Sequence, residues 1–294
     1  MAKRVINDEF LQQLESLQML IKNNIGGQFG GNRKSRTFGS SCEFADYRDY
    51  VPGDDIMKID WNAYARFDKL YQKLYLDERQ MHTRIYIDAS RSMAYGKGKK
   101  AEQALKIAAA IAYLSVCEMD KVSVYVVRGK ELHELFGGVV GKDMFYSVVS
   151  RLDEVEFDGD SFISSAIMPT NVGRGDGLSV ILSDFLTDNN YEDAITYLAD
   201  KKRDILCVQI LAKEEVKPLI RGKMHLFDSE NAEKYYRRNI DREIAQAYKK
   251  ALEYTIDRIR NHCAARGADY VFFGAEESVA SFFFDKLVDA GVLK

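Results

Sequence analysis

The chain has 294 residues, 46% of them apolar and 30% charged, and 45 acidic against 42 basic side chains leave a net charge of −3. Such a balance offers nothing to a nucleic-acid backbone as main partner, and no apolar run approaches the roughly 20 residues needed to cross a bilayer. The basic start Met1–Arg4 meets Asp8 and Glu9 at once, which is not a signal peptide, so the expectation is a cytoplasmic globular protein without a transmembrane segment. Cys42, Cys117, Cys207 and Cys263 lie far apart with no Cys-x-x-Cys pair, and His82, His133, His225 and His262 are equally scattered. This pattern reads as buried thiols in a reducing compartment and holds no zinc site.

Val5, Phe10, Leu14, Leu17 and Ile21 recur at helical spacing and predict an amphipathic first helix whose apolar stripe packs on the body of the protein. Residues 24–41 hold several glycines and the basic residues Arg33, Lys34 and Arg36, and read as a surface loop. A Walker A loop would need Gly directly before its Lys, where Arg33 stands. From Phe38 to Glu78 aromatic and charged residues alternate around Pro52-Gly53-Asp54, a turn in which Pro fixes φ and Gly accepts positive φ. A small β region is expected there, with Arg48, Asp54, Asp55, Asp60 and Arg66 as a structural ion network.

Strand and helix patterns then alternate. Strands are predicted at 84–88, 122–127, 178–183, 204–211 and 269–273, with Glu131–Phe136 as an antiparallel edge. Helices are expected near 103–119, 142–152, 191–201 and 241–266, the last with Ile244, Tyr248, Leu252, Thr255 and Ile259 on one face. The segment 221–240 interrupts the series as a peripheral ribbon, and Phe282, Phe283, Leu287 and Val288 form the apolar side of a C-terminal helix. The alternation predicts an α/β fold with a doubly wound, mostly parallel sheet of Rossmann type. Two regions are expected: 1–80, and 81–294 with the insertion near 221–240.

Asp88-Ala89-Ser90-Arg91-Ser92 leaves the carboxyl end of the first apolar strand, where open α/β sheets bind ligands. Alternating Asp and Ser oxygens suit a hard divalent cation; the alternative is that they cap the next helix and bond backbone amides. A second apolar strand ends in Asp184, and between the two lies a Gly-containing loop, Asp158–Phe162, with the hydroxyl of Ser161 just before a helix start. Asp88, Ser90, Ser92, Ser161 and Asp184 form a split constellation of oxygen ligands.

This constellation resembles the metal-ion-dependent adhesion site of von Willebrand factor A domains. The resemblance implies that Ser90, Ser92 and the loop hydroxyl ligate Mg²⁺ (or Mn²⁺ or Ca²⁺) directly, and that Asp88 and Asp184 act through bound water. The family has Thr at the loop position where this chain has Ser161, which keeps the hydroxyl and loses the methyl that restricts its rotamer. The segment Phe44–Asp55, with Ile59-Asp60-Trp61 and Ala65-Arg66 ahead of the Asp-x-Ser-x-Ser motif, resembles the bacterial family called domain of unknown function 58, soluble branch. That likeness implies a von Willebrand factor A-like domain and association with a MoxR-type AAA+ ATPase, as an adaptor in protein or metal-centre assembly. The expected function is a non-catalytic, metal-dependent interaction module to which a partner Asp or Glu supplies a ligand. A Mg²⁺-dependent hydrolase of phosphate esters, with Arg91 supplying charge, and a metal-free scaffold are the alternatives.

Overall fold

The computed structural model describes residues 4–24, 44–75, 80–95, 99–173, 177–187, 190–218, 222–227 and 235–289. The loop expected at 24–41 and the polar tip Asp228–Asn231 therefore lie almost wholly outside the described residues. The chain forms two compact units, Gly31–Gln80 and a larger one made of Met1–Gly30 with Met81–Lys294. The first helix, α1 (Asp8–Asn24), thus clusters with the larger unit and not with the region that follows it in sequence.

The physical reason is its apolar stripe. Ile6, Phe10, Leu14, Leu17 and Ile21 are buried in the same core as the central sheet, and Asp153 Oδ1 accepts the amides of Val5 and Ile6 at 2.8 and 3.0 Å.

The small unit holds β1 (Phe44–Asp49), α2 (Trp61–Phe67) and β2 (Tyr71–Tyr75), with β1 and β2 antiparallel. The expected ion network is only partly present. Arg48 pairs with Asp54 at 2.6 Å, Asp55 accepts the Met57 amide, and Asp60 caps α2 through Asn62 and Ala63 while pairing with Lys73 at 3.2 Å. Arg66 has no ion pair among the described residues.

The larger unit is built on β3 (His82–Asp88), α3 (Lys99–Cys117), β4 (Lys121–Arg128), β5 (Glu131–Val139), α4 (Lys142–Val148), α5 (Ile163–Ile167), β6 (Leu178–Ser183), α6 (Glu192–Asp200), β7 (Asp204–Leu211) and α7 (Lys213–Val216). A hairpin, β8 (Gly222–Phe227) with β9 (Tyr235–Ile240), then leads into α8 (Arg242–Ala265) and β10 (Asp269–Gly274). Six strands form one sheet in the order β10-β7-β6-β3-β4-β5, with only the β4–β5 pair antiparallel. Numbered within this sheet, that is the doubly wound order 3-2-1-4-5-6, read from β5 to β10.

Near-continuous β-branched strands such as Val122–Val127 suit a sheet covered on both faces. The small residues Ala104, Ala108, Ala109 and Ala112 let α3 approach one face closely, and all are fully buried. At the amino ends of the strands Arg203 is buried and donates to the carbonyls of His82 and Leu178 and to Ser179 Oγ. Gly177 (φ +153°) is required there, because a Cβ would meet the His82 carbonyl oxygen at 2.3 Å.

Two expectations change in detail. On α8 only Leu252 and Ile259 of the expected face are buried, whereas Ile244 and Tyr248 are exposed. The C-terminal helical segment contains a π-helical turn, Phe282–Lys286, that buries Phe282 and Phe283, and Val288 points outward. Cys207 and Cys263 are buried side by side as thiols.

Candidate functional site at the switch point of the sheet

The strand order reverses between β3 and β6, which lie side by side and parallel with Ile87 opposite Leu182. Asp88 and Asp184 therefore leave neighbouring strands at the carboxyl end, in the crevice where such sheets bind ligands. Asp88 Oδ1 accepts the Ser90 amide at 2.9 Å and its Oδ2 accepts the hydroxyl of Ser183. Ser90 and Ser92 hydroxyls lie 3.0 Å apart. Asp88 thus forms a backbone-bonded turn, and that turn gathers the two serine oxygens beside it.

The Ser161 loop is stitched to this turn by main-chain bonds. Arg91 N donates to Gly159 O at 2.8 Å, Asp158 N to Ala89 O at 3.0 Å, and the Arg91 guanidinium grips Asp158. Gly129, just after β4, bonds Asp160 and Phe162 on either side of Ser161. Three loops, 88–92, 127–129 and 158–162, form one layer over the carboxyl ends of β3 and β4.

All five expected ligands are buried, from 2% exposed for Ser90 and Asp184 to 9% for Ser92. Asp88 is thus enclosed although its loop leaves the end of a strand. Arg91, expected as a charge donor to the site, is instead committed to Asp158 at the surface.

Asp184 is held by a sharp turn. Phe185 adopts the left-handed conformation (φ 51°), its amide donates to Ser183 Oγ, and Asp184 Oδ1 accepts the Leu186 amide at 3.0 Å. A buried Phe at positive φ is uncommon and persists only where its surroundings over-determine it; here its ring packs edge-on against Tyr191.

Sequence reasoning missed Lys100 and Glu215. Lys100 is completely buried, and its Nζ donates to Asp184 Oδ2 at 2.8 Å and to Glu215 Oε1 at 2.6 Å. Glu215, on α7 after β7, also accepts the Ala212 amide at 2.7 Å. A signal was present: Lys100 is in register with Ala104, Ala108 and Ile111 on the buried stripe of α3, where an unpaired ammonium is not tolerated.

Burial works against the Lys100 charge, yet Asp184 and Glu215 outweigh it and hold the ammonium above its ordinary value. Burial, then the neighbouring Asp184 charge, pushes the Asp88 carboxyl up, and burial pushes Glu215 up as well. Lys100 thus joins the buried Asp184 to the partly exposed Glu215, and Asp88 lies close enough for the Asp184 charge to act on it. Asp88, Asp184 and the hydroxyls of Ser90, Ser92 and Ser161 are oxygen donors of the type that hard divalent cations such as Mg²⁺ prefer.

The model of the family described as "Protein of unknown function DUF58" matches residues 46–256. Uncharacterised proteins of Mycobacterium tuberculosis and Mycobacterium bovis are 23% identical over 223 residues, covering 74% of this chain and 70% of theirs. Among solved structures, the VWA domain of SpRpn10 is similar at a TM-score of 0.36 and 10% identity, over 69% of this chain and 93% of that one. An uncharacterised membrane-spanning protein from Vibrio fischeri is similar at a TM-score of 0.22 and 14% identity, over the same shares. At those scores the two structures carry no argument, and the fold rests on the strand order above. Among the described residues no helix is long and apolar enough to cross a membrane.

Proposed function

The chain belongs to the DUF58 family, and from that premise and the geometry at the switch point we propose that it is a non-catalytic protein-interaction module whose contact is made through a divalent cation. One observation carries the reading. Asp88 and Asp184 emerge side by side from β3 and β6, both buried, with the Ser90 and Ser92 hydroxyls beside Asp88. Ser90, Ser92 and Ser161 would hold Mg²⁺ or Mn²⁺, with Asp88 and Asp184 bonding its waters. When bound, the ion supplies a positive centre able to accept a carboxylate from a partner.

Lys100 argues against hydrolysis at this site. It is the basic side chain joined to Asp184, and two carboxylates keep its amine protonated, so it is unsuited to act as base or nucleophile. The partner proposed is a MoxR-type AAA+ ATPase offering an Asp or Glu, with the complex acting in protein or metal-centre assembly.

A second reading, a metal-free scaffold, is favoured by the same lysine, since an ammonium already sits on the Asp184 carboxylate. Calorimetric titration with Mg²⁺ and Mn²⁺, followed by binding to the cognate ATPase with and without EDTA, separates the two. Saturable metal binding and a chelator-sensitive complex are expected. Failure to bind either ion leaves the scaffold, and a complex indifferent to EDTA places the contact away from Asp88 and Asp184.

A further inference from the structure

Lys100 is a cation inside the candidate site that the proposed contact does not need. It enters from the start of α3, is completely buried, and bonds both Asp184 Oδ2 at 2.8 Å and Glu215 Oε1 at 2.6 Å. The carboxylate oxygens of Asp88 and Asp184 are not all held alike. Both oxygens of Asp88 and Oδ1 of Asp184 accept an amide or a hydroxyl, from Ser90, Ser183 and Leu186. Asp184 Oδ2 instead accepts the Lys100 ammonium. Neutral donors leave a carboxylate its charge for another partner. An ammonium answers that charge, and it repels a further cation most strongly where water is excluded.

Glu215 gives the ammonium a second seat. Its Oε2 accepts the Ala212 amide at 2.7 Å, and its carbonyl accepts the Tyr248 hydroxyl of α8 at 2.8 Å, so its position does not depend on Lys100 alone. The Tyr95 ring faces the same ammonium, its centroid 5.9 Å from Nζ. A lysine head carries several donors on a flexible stem. It can therefore give up Asp184 and keep both Glu215 and the Tyr95 ring without leaving the pocket.

We propose that Lys100 is a built-in competitor of the divalent ion: it holds Asp184 when the ion is absent and withdraws to Glu215 when the ion binds. Competition sets the site to weak affinity, and a partner carboxylate, by adding negative charge, favours the ion over the ammonium. This role presupposes the metal contact proposed above. A lysine that only braced the pocket would weaken ion binding when removed, whereas removing a competitor strengthens it.

The sign of that change is the test. Mn²⁺ is titrated into the chelator-treated full-length protein, well below its melting temperature, while the paramagnetic resonance signal of free Mn²⁺ is followed. Lys100→Met should bind at least roughly tenfold tighter than the native chain. Its melting temperature should also rise more on adding Mn²⁺. Glu215→Gln leaves the ammonium to Asp184 and should bind roughly threefold weaker or less tightly still. With Lys100→Met already present, Glu215→Gln should change nothing further, and Asp184→Asn should cancel the gain. Circular dichroism shows which variants are folded. Native-like or weaker binding by folded Lys100→Met overturns the competition and leaves the metal contact standing. No Mn²⁺ binding by either the native chain or Lys100→Met overturns both, while binding by Lys100→Met alone upholds the competition. A double variant weaker than Lys100→Met makes Glu215 a ligand and overturns its role as a seat. Should Lys100→Met fail to fold, Glu215→Gln decides, and unchanged or tighter binding by it overturns the proposal.

Discussion

Lys100 Nζ lies 2.8 Å from Asp184 Oδ2 and 2.6 Å from Glu215 Oε1, with the lysine wholly out of water. This bridge ties the start of α3 to the carboxyl end of β6 and to α7, so one side chain locks three elements around the switch point. Removing one partner of a buried ion pair leaves the other charge uncompensated, at a cost of about 3–5 kcal/mol. Lys100→Met should therefore lower the melting temperature by about 10 °C, and adding Asp184→Asn and Glu215→Gln should recover much of the loss. A double-mutant cycle in urea checks this, and additive effects would show that the three groups do not interact.

The oxygen cluster is best probed with isosteric changes, because Asp88 is buried and bonded to Ser90 and Ser183. Asp88→Asn keeps an acceptor for the Ser90 amide and removes the charge. It should weaken Mn²⁺ binding about 10- to 100-fold, the usual range for groups that support metal ligands from behind. Ser161→Thr keeps the hydroxyl and should leave affinity within a few-fold. Titration calorimetry reads both, and two unchanged isotherms would remove these residues from any metal site.

A pH dependence should arise at the opposite end of β3. Burial, reinforced by the charges of Arg84, Arg203 and Lys121, pushes the His82 imidazole down to about 4, and its Nε2 lies 2.9 Å from Ser123 Oγ. The unfolded chain takes up this proton near pH 6.5 and the folded chain does not until about 4, so between those values the unfolded state binds more protons. The stability His82 contributes is present above 6.5 and is lost as pH falls through about 4. His82→Gln should flatten that part of the profile. Urea midpoints of both proteins at about pH 7, 5 and 4 should converge as the pH drops, and parallel profiles would refute it.

Asp60 should govern the small unit. The Tyr47 hydroxyl most of all, then two amides and Lys73, hold its carboxyl down to about 2 against the cost of burial. Its contribution is present above the ordinary carboxylate range and is lost only as pH falls through about 2. Asp60→Ala removes the cap of α2 and the partner of Lys73. Trp61 emission should then change at neutral pH while the main unfolding transition of the larger unit stays in place. A common shift of both signals would show that the two units unfold together.

Much of this molecule is legible in its sequence, because the deciding physics there is local. A strand buried on both faces must be a short apolar run, so 84–88, 122–127, 178–183, 204–211 and 269–273 all fall within the strands of the six-stranded sheet. Asp88-x-Ser90-x-Ser92 is an uninterrupted motif, and its placement at a strand end follows from the apolar residues before it.

What tertiary structure alone decided is which distant residues meet. Nothing in the residues around Lys99-Lys100-Ala101 names Asp184 and Glu215 as partners, 84 and 115 positions away. Likewise, the register of α1 shows that it buries a stripe without saying which unit receives it, and the pattern of Trp61–Phe67 does not show that its aromatic side chains face water. Periodicity reports that a face must be covered, or that a charge must be answered. Which surface or which charge does so depends on how the strands order themselves around β3 and β6, a choice made by packing over the whole core and not by any segment of the chain.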